Sequence, residues 1–234
     1  MQESKLNVKL LRATVEPEIT AATAARLCYS GADLDALQEK MDSETSAKLI
    51  DKIVKIGHYS VLEHANFTFA IEGVSRALSH QLVRHRIASF SQQSQRYVDA
   101  KNFGYVIPPK IAANPEAKIK FEALMQTTMD AYKELLEISP KEDARYVLPN
   151  ATDTKVIVTM NTRALYNFFE KRCCARAQWE IQALARAMLK LAKEAAPKLF
   201  EKAGEPCVSK GECPEGEMSC GKWKALGATL KEHK

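Results

Sequence analysis

The segment from Gly73 to Val98 concentrates arginine and excludes acids. It reads GVSRALSHQLVRHRIASFSQQSQRYV and holds four of the chain's eleven arginines, with no lysine, aspartate or glutamate. Arginine presents a planar fork of donors that fits phosphate or carboxylate in a two-pronged way, whereas lysine is a hydrated point charge. Exclusive use of arginine therefore favours shaped recognition of an anion. The serines and glutamines that follow supply neutral donors and acceptors.

Composition alone leaves two interpretations of this segment open. It can be a solvated basic helix, or a partly buried helix whose arginines need anionic partners. Leu78 and Leu82 favour partial burial. The partner can be a ligand or an acid elsewhere in the fold. On a helix, the spacing of Gln81, Arg84 and His85 predicts that they share one face.

Hydrophobic periodicity predicts the elements that position this segment. Alternating apolar residues predict three strands, at 6–15, 66–72 and 154–160. Helical spacing and capping residues predict helices at 17–28, 43–56, 75–86, 114–139, 162–172 and 176–196. Residues 58–64 are predicted to be a polar connection, 89–95 a loop, and Ser139-Pro140-Lys141-Glu142 a capping box for one further short helix.

These elements predict an α/β protein of the α+β type, with a mixed sheet and long helices. No linker divides the chain, so we expect one domain over residues 1–202. Five of the nine glycines follow Ala203, and residues 203–234 are therefore expected to form a loop-rich, loosely attached tail.

Composition bounds the function. The 234 residues are 46% hydrophobic and 27% charged, which excludes a disordered or fibrous chain. There is neither an apolar run of the ~20 residues that a membrane helix needs nor a secretory signal layout, so we expect a cytoplasmic protein without a membrane partner. A net charge of +5 suits anionic small molecules, and the six scattered cysteines are expected to be free thiols.

Residues 84–96 resemble a known family. Arg84-His85-Arg86-Ile87-Ala88-Ser89-Phe90-Ser91-Gln92-Gln93-Ser94-Gln95-Arg96 matches the R-H-R-x-x-S-x-x-x-x-S-x-R signature of the flavin-dependent thymidylate synthases at all six fixed positions. Further matches are His58 to His64, Ala144 to Pro149, Asn161-Thr162-Arg163, and Arg172 ahead of Ala177 to Ile181. The resemblance covers roughly residues 6 to 200.

The resemblance implies an enzyme that converts dUMP to dTMP. Methylenetetrahydrofolate is then the one-carbon donor, FAD the hydride carrier and NADPH the reductant, and all four compounds are anionic. It also implies a homotetramer of α/β subunits with active sites at subunit interfaces, so that burial of the arginine segment would be intermolecular.

The resemblance also assigns residues. The flavin contacts it implies are Ser60, Arg84, His85, Arg86, Gln92, Asn161, Thr162, Arg163 and Asn167. The dUMP contacts it implies are Gln81, Leu82, Val83, Arg84, Gln92, Gln93, Ser94, Gln95, Arg96, Arg145 and Arg172. Among these, Arg96 with Ser94 suits the 5′-phosphate. Arg172 resembles the catalytic residue that faces the pyrimidine, where a guanidinium stabilises developing negative charge and makes C5 nucleophilic. His58 resembles a histidine on the flavin and folate side.

Departures from the family pattern weaken two further assignments. Gln92 stands where several members have an acid, which puts a water-bridged carboxylate at that point in doubt. Arg176 stands where some members have a histidine.

The resemblance implies that no cysteine acts as nucleophile. Cys207 follows a proline but lies in the glycine-rich tail, and Ser94 has no base at useful spacing. Cys207, Cys213 and Cys220, with His233 beyond, are spaced too widely for a typical zinc site, so we predict no metal. Adjacent Cys173 and Cys174 are expected to be small buried residues rather than a redox pair.

Two other functions compete with the enzyme. A nucleic-acid-binding module would use the arginine segment with lysines and exposed aromatics along a surface stripe, which this segment lacks, so we expect no nucleic-acid partner. A structural oligomer would pack the same arginines against acids of a neighbouring subunit.

Overall fold

The structure, a computed structural model, describes residues 2–39 and 41–231. Within these ranges the strands are β1 (Asn7–Ala13), β2 (Asn66–Ser75), β3 (Ser89–Gln92), β4 (Asp153–Asn161), β5 (Glu212–Cys213) and β6 (Thr229–Leu230). The helices are α1 (Pro17–Leu27), α2 (Leu34–Glu39), α3 (Ser43–Ile56), α4 (Arg76–Leu82), α5 (Pro109–Ala112), α6 (Pro115–Ile138), α7 (Lys141–Ala144), α8 (Thr162–Arg172), α9 (Trp179–Ala195), α10 (Pro197–Phe200), α11 (Pro206–Ser209) and α12 (Lys222–Ala225). Four short 3₁₀ helices lie at Tyr59–His64, Ala100–Asn102, Arg145–Val147 and Gly216–Met218.

The main sheet has four antiparallel strands in the order β1-β2-β4-β3. The only parallel pair of named strands in the described ranges is β5 with β6, where Glu212 lies opposite Thr229. The predicted combination of helices and sheet is confirmed, but the prediction of a mixed sheet is wrong for the main sheet. The parallel pair belongs to the tail, whose two-residue strands are too short to give a periodic signal.

Capping chemistry explains why the strongest helix predictions are confirmed. Asp42 starts α3 by accepting the Thr45 amide at 2.7 Å, and Gly57, with φ of 76°, ends it. Asn114 accepts the Ala117 amide at 3.1 Å at the start of α6, and Asn161 accepts the Ala164 amide at 2.8 Å at the start of α8. Each cap satisfies an amide that has no partner within its helix.

The arginine segment departs most from its prediction. Helix α4 ends at Leu82 with Val83 as its C-cap, so Arg84 and His85 lie beyond it and the predicted shared helical face with Gln81 is wrong. The predicted loop contains strand β3. Four residues are too few to show strand periodicity, and pairing with β4 decides their conformation.

Two smaller predictions also fail. The capping box is absent, because Pro140 is the N-cap of α7 and the Ser139 hydroxyl instead donates to the Leu135 carbonyl at 2.7 Å. The polar connection is largely a 3₁₀ helix that buries Val61 and Leu62.

The chain divides into two compact units. The first comprises residues 1–7, 70–84 and 90–157, and the second comprises residues 8–69, 85–89 and 158–234. The four strands of the main sheet are shared between them. Because each unit is assembled from separate stretches, no linker marks a boundary in the sequence.

Each unit has its own buried apolar cluster. In the first, Met129, Tyr132 and Phe103 pack together beside Ala100, whose amide donates to the Tyr132 hydroxyl at 3.1 Å. In the second, Phe200 is fully buried and meets Phe67 edge-on, with ring centroids 5.1 Å apart. Such aromatic contacts add to the stabilisation that burial itself provides.

The tail is more ordered than expected. Ala203 and Cys213 are buried, and strands β5 and β6 pair. Lys210 forms a 2.7 Å ion pair with Glu170 of α8. The expectation of a loosely attached tail is therefore wrong over the described residues. None of the helices in the described ranges is long and apolar enough to span a membrane.

Candidate active site

The predicted site residues fall into two groups, one in each unit. The first unit holds Gln81, Leu82, Val83, Arg84, Gln92, Gln93, Ser94, Gln95, Arg96 and Arg145. The second holds Ser60, His85, Arg86, Asn161, Thr162, Arg163, Asn167 and Arg172. Each group is described within its own unit.

Arg172 ends α8 in the second unit and contacts His85. The Arg172 Nε–H donates to His85 Nε2 at 3.0 Å. In the described part of the chain no carboxylate pairs with Arg172, which is only partly exposed. Its four Nη–H donors therefore stay available for a ligand.

His85 is held in the form that can accept this bond. Burial, together with the charges of Arg172 and Lys171, lowers its pKa to about 4. A neutral imidazole has one lone-pair nitrogen, and here Nε2 is that nitrogen. The ring also meets Phe168 edge-on, with centroids 4.9 Å apart. His85 is thus fixed by packing on one side and orients the guanidinium on the other.

The other end of α8 presents polar groups at the surface. Asn161 is occupied as the N-cap, and Thr162 is buried with its hydroxyl donating to the Ala65 carbonyl at 3.1 Å. Arg163 is exposed and pairs with Glu63 at 2.6 Å. Asn167, one turn further, is also exposed. Arg163 and Asn167 can therefore meet a ligand, whereas Thr162 supports the start of the helix.

The remaining signature residues of the second unit are exposed. Arg86 and Ser60 lie at the surface, and Ile87 exposes 73% of its area. An exposed cation beside a large exposed apolar side chain suits a ligand with both charged and flat apolar parts.

In the first unit, Glu142 organises two predicted dUMP contacts. Its carboxylate accepts from Arg96 Nε at 2.7 Å, and its backbone carbonyl accepts from Arg145 Nε at 3.0 Å. This hydrogen bond and ion pair raise the pKa of Arg96. The predicted capping box gives Glu142 a different role, so its ion pair with Arg96 is not foreseen from the sequence. In the sequence, Glu142 lies three residues before Arg145, which is about one helical turn.

Arg76 is a further cation of this group. Burial lowers its pKa, and the nearby charge of Arg145 lowers it further. No hydrogen bond of the Arg76 guanidinium is found in the ranges that the structure describes. Arg76 lies in the arginine segment, and the signature of residues 84–96 does not include it.

Some polar groups at the end of β3 and in the loop after it are bonded or buried within the fold itself. Gln92 donates to the Thr154 hydroxyl at 3.2 Å, and Gln95 is buried. The Ser94 hydroxyl accepts the Arg96 amide at 3.2 Å. Of this group, Arg84 and Arg96 are exposed and Leu82 is fully buried. Leu82 can therefore only shape the site. Arg96 can bind an anionic ligand if that ligand replaces the Glu142 carboxylate as its partner.

The described cysteines are free thiols, as expected. Burial raises the pKa of Cys173 to about 12 and also raises the pKa values of Cys174 and Cys207. These three thiols stay protonated at neutral pH and are poor nucleophiles. No group of three or more potential metal ligands occurs within residues 2–39 and 41–231, and His233 lies outside the described residues.

The aromatic residues Tyr166 and Trp179 differ in burial. Tyr166 is buried and donates its hydroxyl to the Leu199 carbonyl at 2.7 Å, as a core residue does. Trp179 is 38% exposed at the start of α9. Trp179 is therefore not a core residue of the single chain.

The family is shown by comparison of the whole sequence. Residues 9–198 match the family model Thy1, described as thymidylate synthase complementing protein. The chain belongs to this family, and the curated relatives described next carry the name flavin-dependent thymidylate synthase.

Three of these relatives cover almost the full chain. The protein of Geobacter sulfurreducens is 54% identical over 230 residues, which are 97% of this chain and 99% of the relative. That of Nitratidesulfovibrio vulgaris is 50% identical, covering 95% and 97% of the two chains. That of Clostridium tetani is 47% identical, covering 93% and 94%. The relatives therefore match the tail as well as the region of the family model.

Proposed function

We propose that this protein is a flavin-dependent thymidylate synthase that methylates dUMP at C5 to give dTMP. Methylenetetrahydrofolate would donate the carbon, and NADPH would supply the electrons through FAD. The observation that carries the proposal is Arg172, a partly buried guanidinium that is oriented by a neutral histidine and has no carboxylate partner in the described ranges. It supports a site for a group that becomes negative during reaction.

The chemistry of the exposed residues fits FAD. Arg84 and Arg86 are exposed cations that suit phosphate groups. Arg163 is also exposed and would exchange its Glu63 partner for such a group, and Asn167 and Ser60 are exposed hydrogen-bonding groups. Gln92, His85, Asn161 and Thr162 would complete the flavin contacts, Thr162 through its support of the helix start. FAD supplies hydride transfer when bound, and the protein supplies binding, orientation and electrostatics.

Arg172 would activate the pyrimidine of dUMP. Its free Nη–H donors would face the N3 and carbonyl side of the ring, where a guanidinium stabilises developing negative charge. That stabilisation raises electron density at C5, so that C5 attacks the incoming carbon. The raised pKa values of Cys173, Cys174 and Cys207 support a mechanism without a cysteine nucleophile.

The phosphate of dUMP would bind in the first unit. Arg96 would exchange the Glu142 carboxylate for the phosphate, and Arg145, held by the Glu142 carbonyl, would add a second cation. The Ser94 hydroxyl and neighbouring amides would supply neutral donors. Gln81, Val83, Gln93 and Gln95 would line the rest of the dUMP site.

We also propose a homotetramer with active sites at subunit interfaces. The exposure of Ile87 in the second unit, and of Tyr97 and Tyr146 in the first, supports a partner surface within each unit. Sedimentation or light scattering would give the mass: four subunits support the assembly, and a monomer that makes dTMP contradicts it.

One assay tests the function. The purified protein should be yellow, should bleach with NADPH, and should form dTMP only when dUMP and methylenetetrahydrofolate are both present. Arg26→Ala, which removes an exposed arginine of α1, serves as a matched control and should retain activity. A colourless protein whose only activity is salt-sensitive binding of DNA or RNA would contradict the proposal.

A further inference from the structure

A cleft opens in the second unit between the end of α8 and the tail. Its volume is about 530 Å³, within the usual range for small-molecule sites. Arg172, Lys171 and Cys174 line one side, and residues of the tail, including Pro206 and Lys210, line the other. The tail residues lie beyond residue 198, where the match to the family model ends. The cleft is therefore lined by α8, which lies inside the region that matches the family model, and by the tail, which lies beyond that region.

Each carboxylate in the lining of this cleft has its own cation. Glu170 pairs with Lys210 at 2.7 Å. Glu215 pairs with Arg176 at 3.9 Å and Glu212 pairs with Lys231 at 3.7 Å. These pairs neutralise one another and leave no carboxylate for the remaining cations of the lining.

Lys171 and Arg172 are those remaining cations. The structure shows no ion pair for either of them within the residues it describes. Both lie in the last turn of α8, where the helix dipole contributes only about half a negative charge. Two positive charges therefore outweigh it, and the same two charges help to lower the pKa of His85. The cleft beside Arg172 is electropositive.

We propose that the tail is a wall of the active site and that this cleft binds an anionic group of a co-substrate, with Lys171 as its additional contact. The inference rests on the proposed function, in which Arg172 meets the pyrimidine of dUMP. The anionic group is a carboxylate or a phosphate. Methylenetetrahydrofolate carries carboxylates and NADPH carries phosphates, so either co-substrate can supply the anionic group.

The Glu170–Lys210 ion pair is the positioning contact of this wall. The Glu170 side chain is only 17% exposed. Because water screens its charge less than that of a fully exposed carboxylate, this ion pair is stronger than a typical surface ion pair. Lys210 follows α11 directly, which places the pair at the beginning of the tail. Losing it should shift the wall without disturbing His85 or the core of the unit.

Lys171→Gln tests the ligand contact. We expect the KM of one co-substrate to rise about tenfold, as loss of one charge-assisted hydrogen bond implies, while kcat changes less than about twofold. A rise for methylenetetrahydrofolate identifies the carboxylate source, and a rise for NADPH identifies the phosphate source. Lys52→Gln on α3, an exposed lysine outside the cleft, is the matched control. Unchanged KM values for both co-substrates would overturn the proposal.

Charge reversal tests the wall. Lys210→Glu should raise the same KM and should speed chymotrypsin cleavage at Trp223 in the tail, and the swapped pair E170K/K210E should recover most of both changes. Lys48→Glu, which breaks a 2.6 Å exposed ion pair with Glu44 on α3, is the control. Faster cleavage with no change in KM would show that the ion pair holds the tail of the wild type in place but that the tail is not part of the site. That result would refute the proposal.

Thermal shift gives a readout independent of turnover. The co-substrate identified by the KM should raise the melting temperature of the FAD-loaded wild type more than that of Lys171→Gln. The two proposals fail differently. A wild type that forms no dTMP contradicts the proposed function, whereas an active wild type with unaffected Lys171 and Lys210 variants contradicts only the role of the tail.

Discussion

Arg96 and Arg172 are both predicted to meet dUMP, yet the protein treats their charges differently. Arg96 is exposed and pairs with the carboxylate of Glu142 at 2.7 Å. Arg172 is partly buried and bonds to the neutral imidazole of His85 at 3.0 Å. An arginine with a protein carboxylate must exchange it when an anion binds, whereas an arginine held by a neutral acceptor keeps its full charge for the ligand. The first arrangement suits binding and the second suits catalysis.

Removal of Arg172 is expected to have the largest effect. Arg172→Ala should lower kcat on the order of 10²- to 10³-fold, because it removes the charge that stabilises the developing anion. The flavin absorbance and the melting temperature should stay near those of the wild type. Steady-state dTMP formation and a thermal melt measure these quantities. A fully active variant would show that Arg172 has no catalytic role.

Removal of Arg96 should affect binding more than turnover. Arg96→Ala should raise the KM of dUMP about 10- to 100-fold, since a charge-assisted bond to the phosphate is lost, and kcat should change much less. Arg12→Ala, at an exposed position of β1, is the control. If kcat falls while the KM of dUMP is constant, the distinction between the two arginines is lost.

The role of His85 beside Arg172 can be tested through the pH dependence of stability. Its folded pKa of about 4 lies below the ordinary value, so the unfolded chain binds the proton first as the pH falls. The stability linked to His85 is complete above about pH 6.5 and is lost as the pH falls towards 4.

His85→Gln keeps an acceptor for Arg172 and removes this titration. Between pH 6.5 and 4, its melting temperature should fall about 2–4 °C less than that of the wild type, a size that allows for the partial exposure of the ring. His80→Gln, which removes an exposed histidine of α4, is the control. Equal falls in the wild type and in His85→Gln would mean that the imidazole is not held neutral.

Removal of the competing carboxylate should have the smallest effect. Glu142→Gln frees Arg96 from its ion pair, and the KM of dUMP should fall about two- to fivefold, because an exposed ion pair is weak and is screened by water. In an Arg96→Ala background the same change should have little effect. An equal fall in both backgrounds would show that Glu142 does not act through Arg96.

Local signals predicted much of this fold. Caps such as Asp42 and Asn114 act within one helical turn, so the sequence alone fixes where their helices start. The signature also indicated the candidate residues, including Arg172, through resemblance.

Long-range contacts set the limits of that prediction. Strand β3 depends on β4, about sixty residues later, and the roles of Glu142 and Lys210 depend on partners 46 and 40 residues away. Neither hydrophobic periodicity nor helix caps, which are local features of the sequence, indicate such pairings. The neutral state of His85 likewise depends on burial and on Arg172, 87 residues further along the chain.

The interleaving of the two units constrains how the chain can become folded during synthesis. The second unit begins at residue 8 but needs residues 158–234 to be complete, and the contact between Phe67 and Phe200 forms only after most of the chain has left the ribosome. The apolar residues of the early segments therefore stay exposed until the late segments are synthesised. This exposure makes the nascent chain prone to aggregation and gives chaperones a role.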